Sequence, residues 1–249
     1  MKIKLLSTVD STNNYLRQLA ATKEVEEGTV VVSLEQTAGR GQRGHSWVSE
    51  RGMGLYFSIL LRPRGCPAEA QFILNKVIAA GAARYVDAAS GCRTEIRWPN
   101  DLLLEGRKAG GILIENTLRG NHLAEVIAGI GINLNQESFT GSFQTPPVSL
   151  HQLSGTFYDP GREADALYGM LMKAYQSWQN GVYGEIVEYY NNRLYGRGRT
   201  VRFLTADGTF SDALFEGVDE TGRAMIIENG LRKKVSHPEF RINGMKAPD

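Results

Sequence analysis

The sequence predicts an α+β protein, a mixed sheet backed by helices and followed by a small β-barrel. Three observations carry this expectation. Runs rich in valine and leucine at 29–34 and 55–61 have the length and apolarity of buried strands. Between 68 and 89, Leu74, Val77, Ile78, Gly81 and Tyr85 recur at helical spacing. After Gly196-Arg197-Gly198 the chain breaks into short strand-like runs divided by Asp207-Gly208, Glu220-Thr221-Gly222 and Asn229-Gly230, which reads as four or five strands. Residues 1–195 are therefore expected to form the larger domain and 196–249 the smaller.

In chain order, Ser11-Thr12-Asn13-Asn14 precedes Tyr15, Leu16 and Leu19, the signature of a capped short helix. The strand at 29–34 and the strand at 55–61 follow, then the helix over 68–89. Strands are expected at about 93–98, 102–105, 110–117 and 122–132, and the short gaps between the last three predict antiparallel hairpins. Residues 134–147 hold Gln, Ser, Gly, Thr and two prolines, a long polar loop of the kind that often serves function. Asp159-Pro160 opens a helix whose buried face is Ala164, Leu167, Leu171, Ala174 and Trp178. A shorter helix at about 183–194 carries Ile186, Tyr189 and Tyr190.

Composition narrows the function classes. Of 249 residues 42% are hydrophobic, which supports a sizeable core and excludes a disordered chain. A formal net charge of +1 leaves no electrostatic footprint for non-specific binding to DNA or to a membrane surface. Cys66 and Cys92 lie far apart without metal-ligand spacing and read as reduced thiols, and the N-terminus has too few apolar residues for a signal peptide, so a cytoplasmic location is expected.

The chemistry-bearing stretches are few. Gly39-Arg40-Gly41-Gln42-Arg43-Gly44 packs three glycines and two arginines into six residues. Glycine lets the backbone approach a ligand closely and arginine brings fixed positive charge, which suits a nucleotide phosphate. No Gly-Lys-Ser/Thr follows, and although the glycines have the Gly-x-Gly-x-x-Gly spacing, an aromatic strand pattern follows in place of the helix that a dinucleotide fingerprint opens. Taken alone, the stretch is equally a surface turn. Arg97-Trp98-Pro99-Asn100-Asp101 ends a strand and turns sharply, with Trp98 able to anchor in the core and Asn100 and Asp101 projecting. Asn-Asp is also an ordinary turn signal. Gly106-Arg107-Lys108-Ala109-Gly110-Gly111 sets a lysine just ahead of an apolar strand, where a solvated hairpin lysine is the plain alternative. Gly129-Ile130-Gly131-Ile132-Asn133 is a glycine-interrupted strand ending in an amide.

In this order the motifs resemble those of the biotin protein ligases, enzymes that attach biotin to a lysine of a carboxylase carrier protein. The resemblance spans residues 10–135. It comprises Asp10-Ser11-Thr12-Asn13, Glu35-Gln36-Thr37-Ala38 leading into the Gly-Arg loop, the Trp-Pro-Asn-Asp turn, Arg107-Lys108-Ala109-Gly110-Gly111, and Gly131-Ile132-Asn133. It implies a catalytic domain related to class II aminoacyl-tRNA synthetases and an SH3-like C-terminal domain. It also implies biotin, ATP and Mg²⁺ as reactants or cofactors and a biotin carboxyl-carrier domain as partner.

By the same resemblance, the biotin head group belongs at Ser11, Thr12, Asn13 and Gln36, with Gly39, Arg40, Gly41, Gln42 and Lys108 around the rest of the molecule. ATP belongs at Arg40, Arg43, Trp47, Asn100 and Asn133. Arg40, Lys108 and Asp101 are implied to act in the chemistry, Asp101 also as a candidate Mg²⁺ ligand or as the base for the acceptor lysine. The residue types suit the task. A neutral ureido ring needs hydrogen-bond partners in a buried site, and two anions brought together for adenylation need cations. One position departs from a common family pattern, because Gln42 stands where many members carry a third loop arginine. It keeps an amide but loses the charge and the fork, which places tight retention of the adenylate in question.

Two rivals fit the residues less well. A lipoate ligase or octanoyl transferase of the same fold has little use for the Ser-Thr-Asn cluster, and neither cysteine sits in a motif near the site. A biotin-responsive repressor needs a DNA-reading domain, and ten residues ahead of Ser11 offer no room for one, so no DNA partner is expected. Exposed sheet edges leave both monomer and homodimer open.

Overall fold

The computed structural model describes residues 3–42, 46–47, 50–205, 207–237 and 240–245. Seven strands form the first sheet: β1 (Ile3–Leu6), β2 (Val30–Ser33), β3 (Gly54–Leu61), β4 (Thr94–Arg97), β5 (Asp101–Leu104), β6 (Arg107–Arg119) and β7 (His122–Asn133). Their order is β1-β2-β3-β7-β6-β5-β4. Only β1 and β2 run parallel, joined through helix α1 (Thr12–Thr22), and every other neighbour is antiparallel. The hairpins expected across residues 101–133 are present, and the sheet is mixed.

Alternation decides what each face does. Val30 and Val32, Leu55, Phe57, Ile59 and Leu61, and Val126, Ala128, Ile130 and Ile132 point to one side. There they meet α2 (Gln71–Ser90) and α4 (Pro160–Gln179), with α5 (Gly184–Asn192) packed on α2. Burying this face supplies most of the drive to fold, at roughly 25 cal/mol per Å² of apolar surface. On the opposite side Val31, Leu60 and Ile127 pack with Leu16 of α1 in a smaller cluster. That cluster covers only part of the second face. The remainder, where β3, β7 and β6 present Ser58, Gly129, Gly131, Gly111 and Leu113, is left for the site.

Local signals hold where they were strong. Asp159 caps α4 by accepting from Arg162 N–H, with Pro160 in the first turn. Gly91 closes α2 in the left-handed region at φ 69°. The helix expected from residue 68 begins as a 3₁₀ turn at Ala68–Ala70 and becomes α-helical at Gln71. Two elements carry no clear mark in the sequence. One is the edge strand β1. The other is α3 (Leu150–Ser154), closed by a capping box between Ser149 and Gln152.

The second sheet is antiparallel, with strands β8 (Arg199–Thr205), β9 (Phe210–Val218), β10 (Ala224–Glu228), β11 (Leu231–Val235) and β12 (Phe240–Met245) in the order β11-β10-β9-β8-β12. Its inner side chains, among them Phe203, Phe215, Ile226 and Phe240, are buried, as a small barrel-like unit requires. Lys76 of α2 reaches into the contact between the sheets. It is 5% exposed, its Nζ lies 3.4 Å from the Val218 carbonyl and within 6 Å of the Phe72 and Tyr190 ring centroids. Burial pushes its pKa down, and Asp219 and Glu220 offset this in part.

Candidate active site

Backbone pairing brings the sequence motifs together. Val9 and Asp10 are laced to residues 35–38 through Val9 N–H to Glu35 O, Thr37 N–H to Val9 O and Ala38 N–H to Asp10 O. The entry to α1 therefore lies beside Gln36 and the start of the Gly-Arg loop. That loop is closed at its base by Trp47 N–H to Gly39 O and by a bridge between Arg40 and Ser46. The result is a cavity of about 550 Å³ over the uncovered part of the first sheet. Ser11, Thr12, Asn13, Gln36, Arg40, Gly41, Gln42, Trp47, Asn100, Asp101 and Lys108 all line it.

At one end sits a neutral polar cluster. Thr12 donates to Gln36 Oε1 from both its backbone N–H, at 2.9 Å, and its hydroxyl, at 3.2 Å. Ser58 Oγ lies 2.7 Å from Thr12 Oγ1 and 2.6 Å from Asn13 Oδ1. Asn13 donates from Nδ2 to Glu115 Oε2 at 2.8 Å. Ser11 occupies the N-cap position of α1, but its side chain makes no capping bond, and it is buried against the cavity. The cap expected from sequence is thus positional only, and the hydroxyl faces the space a ligand would fill.

The floor depends on two glycines one strand-repeat apart on β7. A Cβ at Gly129 would lie 2.4 Å from Asn13 Oδ1, and one at Gly131 would lie 2.8 Å from the Trp47 ring. These side chains can approach the sheet only because neither position carries a side chain.

At the other end charge dominates. Lys108 Nζ pairs with Asp101 Oδ1 at 2.7 Å, and Arg97 reaches Asp101 Oδ2 from Nη2 at 2.6 Å and from Nε at 3.2 Å. Burial alone would raise the Asp101 pKa, but the Lys108 and Arg97 charges and their hydrogen bonds outweigh it and hold the carboxyl below its ordinary range. Lys108 also lies 5.5 Å from the Trp47 ring centroid. Its direction comes from a bulge. The register of β5 against β6 shifts between Leu102 and Leu103, so Leu102 faces Gly110 while Leu103 faces Lys108. Strict alternation would put Lys108 on the side of Ile112, in the core. The bulge instead buries Ala109 and turns Lys108 into the cavity.

Arg40 reaches across α1, donating to Asn14 Oδ1 at 2.6 Å and to Glu115 Oε1 at 3.0 Å. Burial raises the Glu115 pKa, and the Arg17 and Asn13 hydrogen bonds with the Arg17 and Arg40 charges more than reverse this. Gly39 is buried at the loop base. Asn100 is tied to β6 by Nδ2 to Ile112 O at 2.8 Å, at the edge of the cavity. Asn133 is placed elsewhere. Its Nδ2 serves Lys108 O at 3.2 Å and Val148 O at 3.1 Å, so it holds the end of β7 beneath the cavity. Arg43 lies outside the described residues.

Ser58, Glu115 and Arg97 carry much of this geometry, and the sequence assigns none of them a role. A lone serine inside the apolar run 54–61 is the one signal that points to Ser58. Glu115 and Arg97 flank quoted motifs but gain their meaning only from partners distant in the chain. His237 and Arg241 from the second sheet's segment also line the cavity.

The family described as Biotin/lipoate A/B protein ligase matches residues 5–133. The biotin–[acetyl-CoA-carboxylase] ligase of Paracoccus denitrificans is 32% identical over 239 residues, covering 93% of this chain and 96% of that protein. The chain belongs to the biotin/lipoate protein ligase family. The bifunctional ligase/repressor BirA of Bacillus subtilis is 31% identical over 236 residues, 94% of this chain and 72% of that protein. Among solved structures, the biotin protein ligase from Aquifex aeolicus in complex with biotin and ATP aligns with a TM-score of 0.79 at 26% identity, covering 96% of this chain and 97% of its own. The family match ends at Asn133, the last residue of β7, so it takes in the polar cluster, the Gly-Arg loop, Asp101 and Lys108.

Proposed function

We propose that this chain is an ATP-dependent biotin ligase, which forms biotinyl-5′-AMP and passes the biotinyl group to a lysine of a carboxylase carrier domain. The observation that carries the reading is one cavity with a neutral polar end at Ser11, Thr12, Asn13 and Gln36 and a charged end where Lys108 and Arg97 meet Asp101. Biotin has the same polarity, a neutral ureido ring at one end and a carboxylate at the other.

In the first step a biotin carboxylate oxygen bonds to the α-phosphorus of ATP and pyrophosphate leaves. Both reactants are anions, so Lys108 and Arg40 lower the barrier by neutralising charge where it concentrates. Trp47 covers the floor, Asn100 borders the nucleotide, and the loop residues Gly41 and Gln42 border the biotin. In the second step the acceptor lysine nitrogen bonds to the acyl carbon and AMP leaves. That nitrogen must first lose a proton, because a free lysine has a pKa near 10.4. With both oxygens paired to cations, Asp101 is a weak base in the state described, and it gains basicity once Lys108 turns to the substrate.

Mg²⁺ arrives with ATP on its phosphates. Among the described cavity residues Asp101 is the only carboxylate, and no cluster of three or more metal-binding side chains is present among the described residues. Asp101 thus offers a single protein carboxylate, as suits an ion held mainly by phosphate and water.

We further propose a division at residues 195 and 196, a cytoplasmic location in keeping with two free cysteines, and no DNA partner given a net charge of +1. Among the described residues no helix is long and apolar enough to cross a membrane. Edge strand β1 offers a place for the acceptor's sheet or a second copy, so both monomer and homodimer fit.

The test is incubation with biotin, Mg-ATP and a carrier domain, read as a mass shift on the carrier, with lipoate in parallel. Transfer of biotin well above lipoate is expected. Equal transfer of both would sink the substrate assignment.

A further inference from the structure

Arg97 has no role in the reaction as described so far, yet it is built into the cationic end. Its side chain is 13% exposed, and three of its nitrogens are engaged. Nε and Nη2 contact Asp101 Oδ2, and Nη1 donates to Thr145 Oγ1 at 2.6 Å. Asp101 is 15% exposed and carries Lys108 on its other oxygen. The carboxylate therefore has two counter-ions of different character. Arg97 is enclosed and makes a two-nitrogen contact. Lys108 is a flexible chain, 33% exposed, that makes one.

Under the ligase reading, on which this inference rests, Lys108 must leave Asp101 for the oxygens between the biotin carboxyl and the α-phosphate. A largely buried carboxylate stripped of its only partner is strongly disfavoured. With a single counter-ion, Lys108 would stay where it rests. With Arg97 still in place, Asp101 remains compensated while Lys108 is away.

We propose that Arg97 is a positioning residue for adenylate formation, the standing counter-ion of Asp101 that releases Lys108 to the reacting oxygens. It lines the cavity, and in this role it acts through Asp101 and not on the substrates. A rival role is to tether the cavity wall at residues 142–145 through Thr145, and the two roles separate experimentally.

The experiment is single-turnover pyrophosphate release by the full chain with biotin and Mg-ATP, alongside calorimetric biotin binding. It compares wild type with Arg97→Met, Arg97→Lys and Thr145→Val. Arg97→Met is expected to lower the maximal rate about tenfold or more while biotin affinity stays within about twofold. Arg97→Lys restores the charge and should recover part of the rate. Thr145→Val should stay within about threefold of wild type. An unchanged maximal rate in Arg97→Met overturns the proposal, and so does a Thr145→Val loss as large as that of Arg97→Met. If Arg97→Met does not fold, Arg97→Gln decides, since a maximal rate lowered about tenfold or more supports the proposal and a wild-type rate overturns it. Wild-type protein that releases no pyrophosphate overturns the ligase reading and this proposal with it. With normal wild-type turnover, an unchanged Arg97→Met rate counts against the role of Arg97 alone.

Discussion

Lys108 and Gly129 define the two ends of the cavity. Replacing Lys108 by alanine removes the cation paired with Asp101 at 2.7 Å. Loss of one preorganised electrostatic group costs about 10²-fold or more in rate. Pyrophosphate release by folded Lys108→Ala protein is expected to fall by at least that much, and a near-normal rate would reduce Lys108 to a structural ion pair. Gly129→Ala acts differently. The new methyl would sit 2.4 Å from Asn13 Oδ1, so the amide must swing away from Ser58 and Glu115. Biotin KM should rise about tenfold with ATP KM little changed. Equal rises in both, measured by initial rates, would mean that Asn13 does not serve the biotin end.

Among the elements, the turn between β9 and β10 is held together by one side chain. Asp219 Oδ1 accepts from Thr221 N–H, the Thr221 hydroxyl and Arg223 N–H, while Oδ2 pairs with Lys234 and Arg223. Partial burial pushes the Asp219 pKa up, but these bonds more than reverse it and hold the folded-state value far below that of an unfolded aspartate near 3.9. A depressed folded pKa stabilises the native state above the unfolded pKa, and that contribution fades as pH falls from about 4 toward the folded value. Asp219→Asn should therefore lower Tm at pH 7 and leave a shallower acid limb. Parallel Tm–pH curves for variant and wild type, by calorimetry, would remove Asp219 from the account. The elements differ in how plainly their sequences announce them. Strands β2 and β3 were legible from continuous apolar stretches, and helices α2 and α4 from apolar residues at helical spacing. Strand β1 was not, because four residues with two exposed side chains carry no periodic signal and gain their place only by pairing with β2.

Across the whole molecule, Trp98 couples the second sheet to the site. Its Nε1 donates to Gly222 O at 3.1 Å, and its ring contacts His237 edge-on at 5.6 Å and Phe240 at 6.2 Å between centroids. Two residues later Asn100 is pinned to β6, and Asp101 follows. The turn bearing Asp101 is thus held from both sides. Trp98→Ala is expected to cost about 3–5 kcal/mol of stability and to slow adenylation as well. Trp98→Phe keeps most of the packing and loses one hydrogen bond, a cost of about 1–3 kcal/mol where the Gly222 carbonyl is left unpaired. Urea unfolding measures both, and a Trp98→Ala protein of unchanged stability would show that the two sheets dock without this anchor.

Sequence alone determined the alternation of apolar runs, the change of character after Gly198, and the ordered motifs from Asp10 to Asn133 that mark the family. These are local properties, written in neighbouring residues, and they survive without any knowledge of distance. Only the tertiary structure decided which motif residues meet. It put Ser58 under Thr12 and Asn13, gave Arg40 to Glu115, and assigned Asn133 to a buried tie. Lys108 is the clearest case. Its neighbours in sequence assign it to the core side of β6, and one extra residue at Ala109 reverses that, because strand alternation has a period of two and a bulge shifts the count by one.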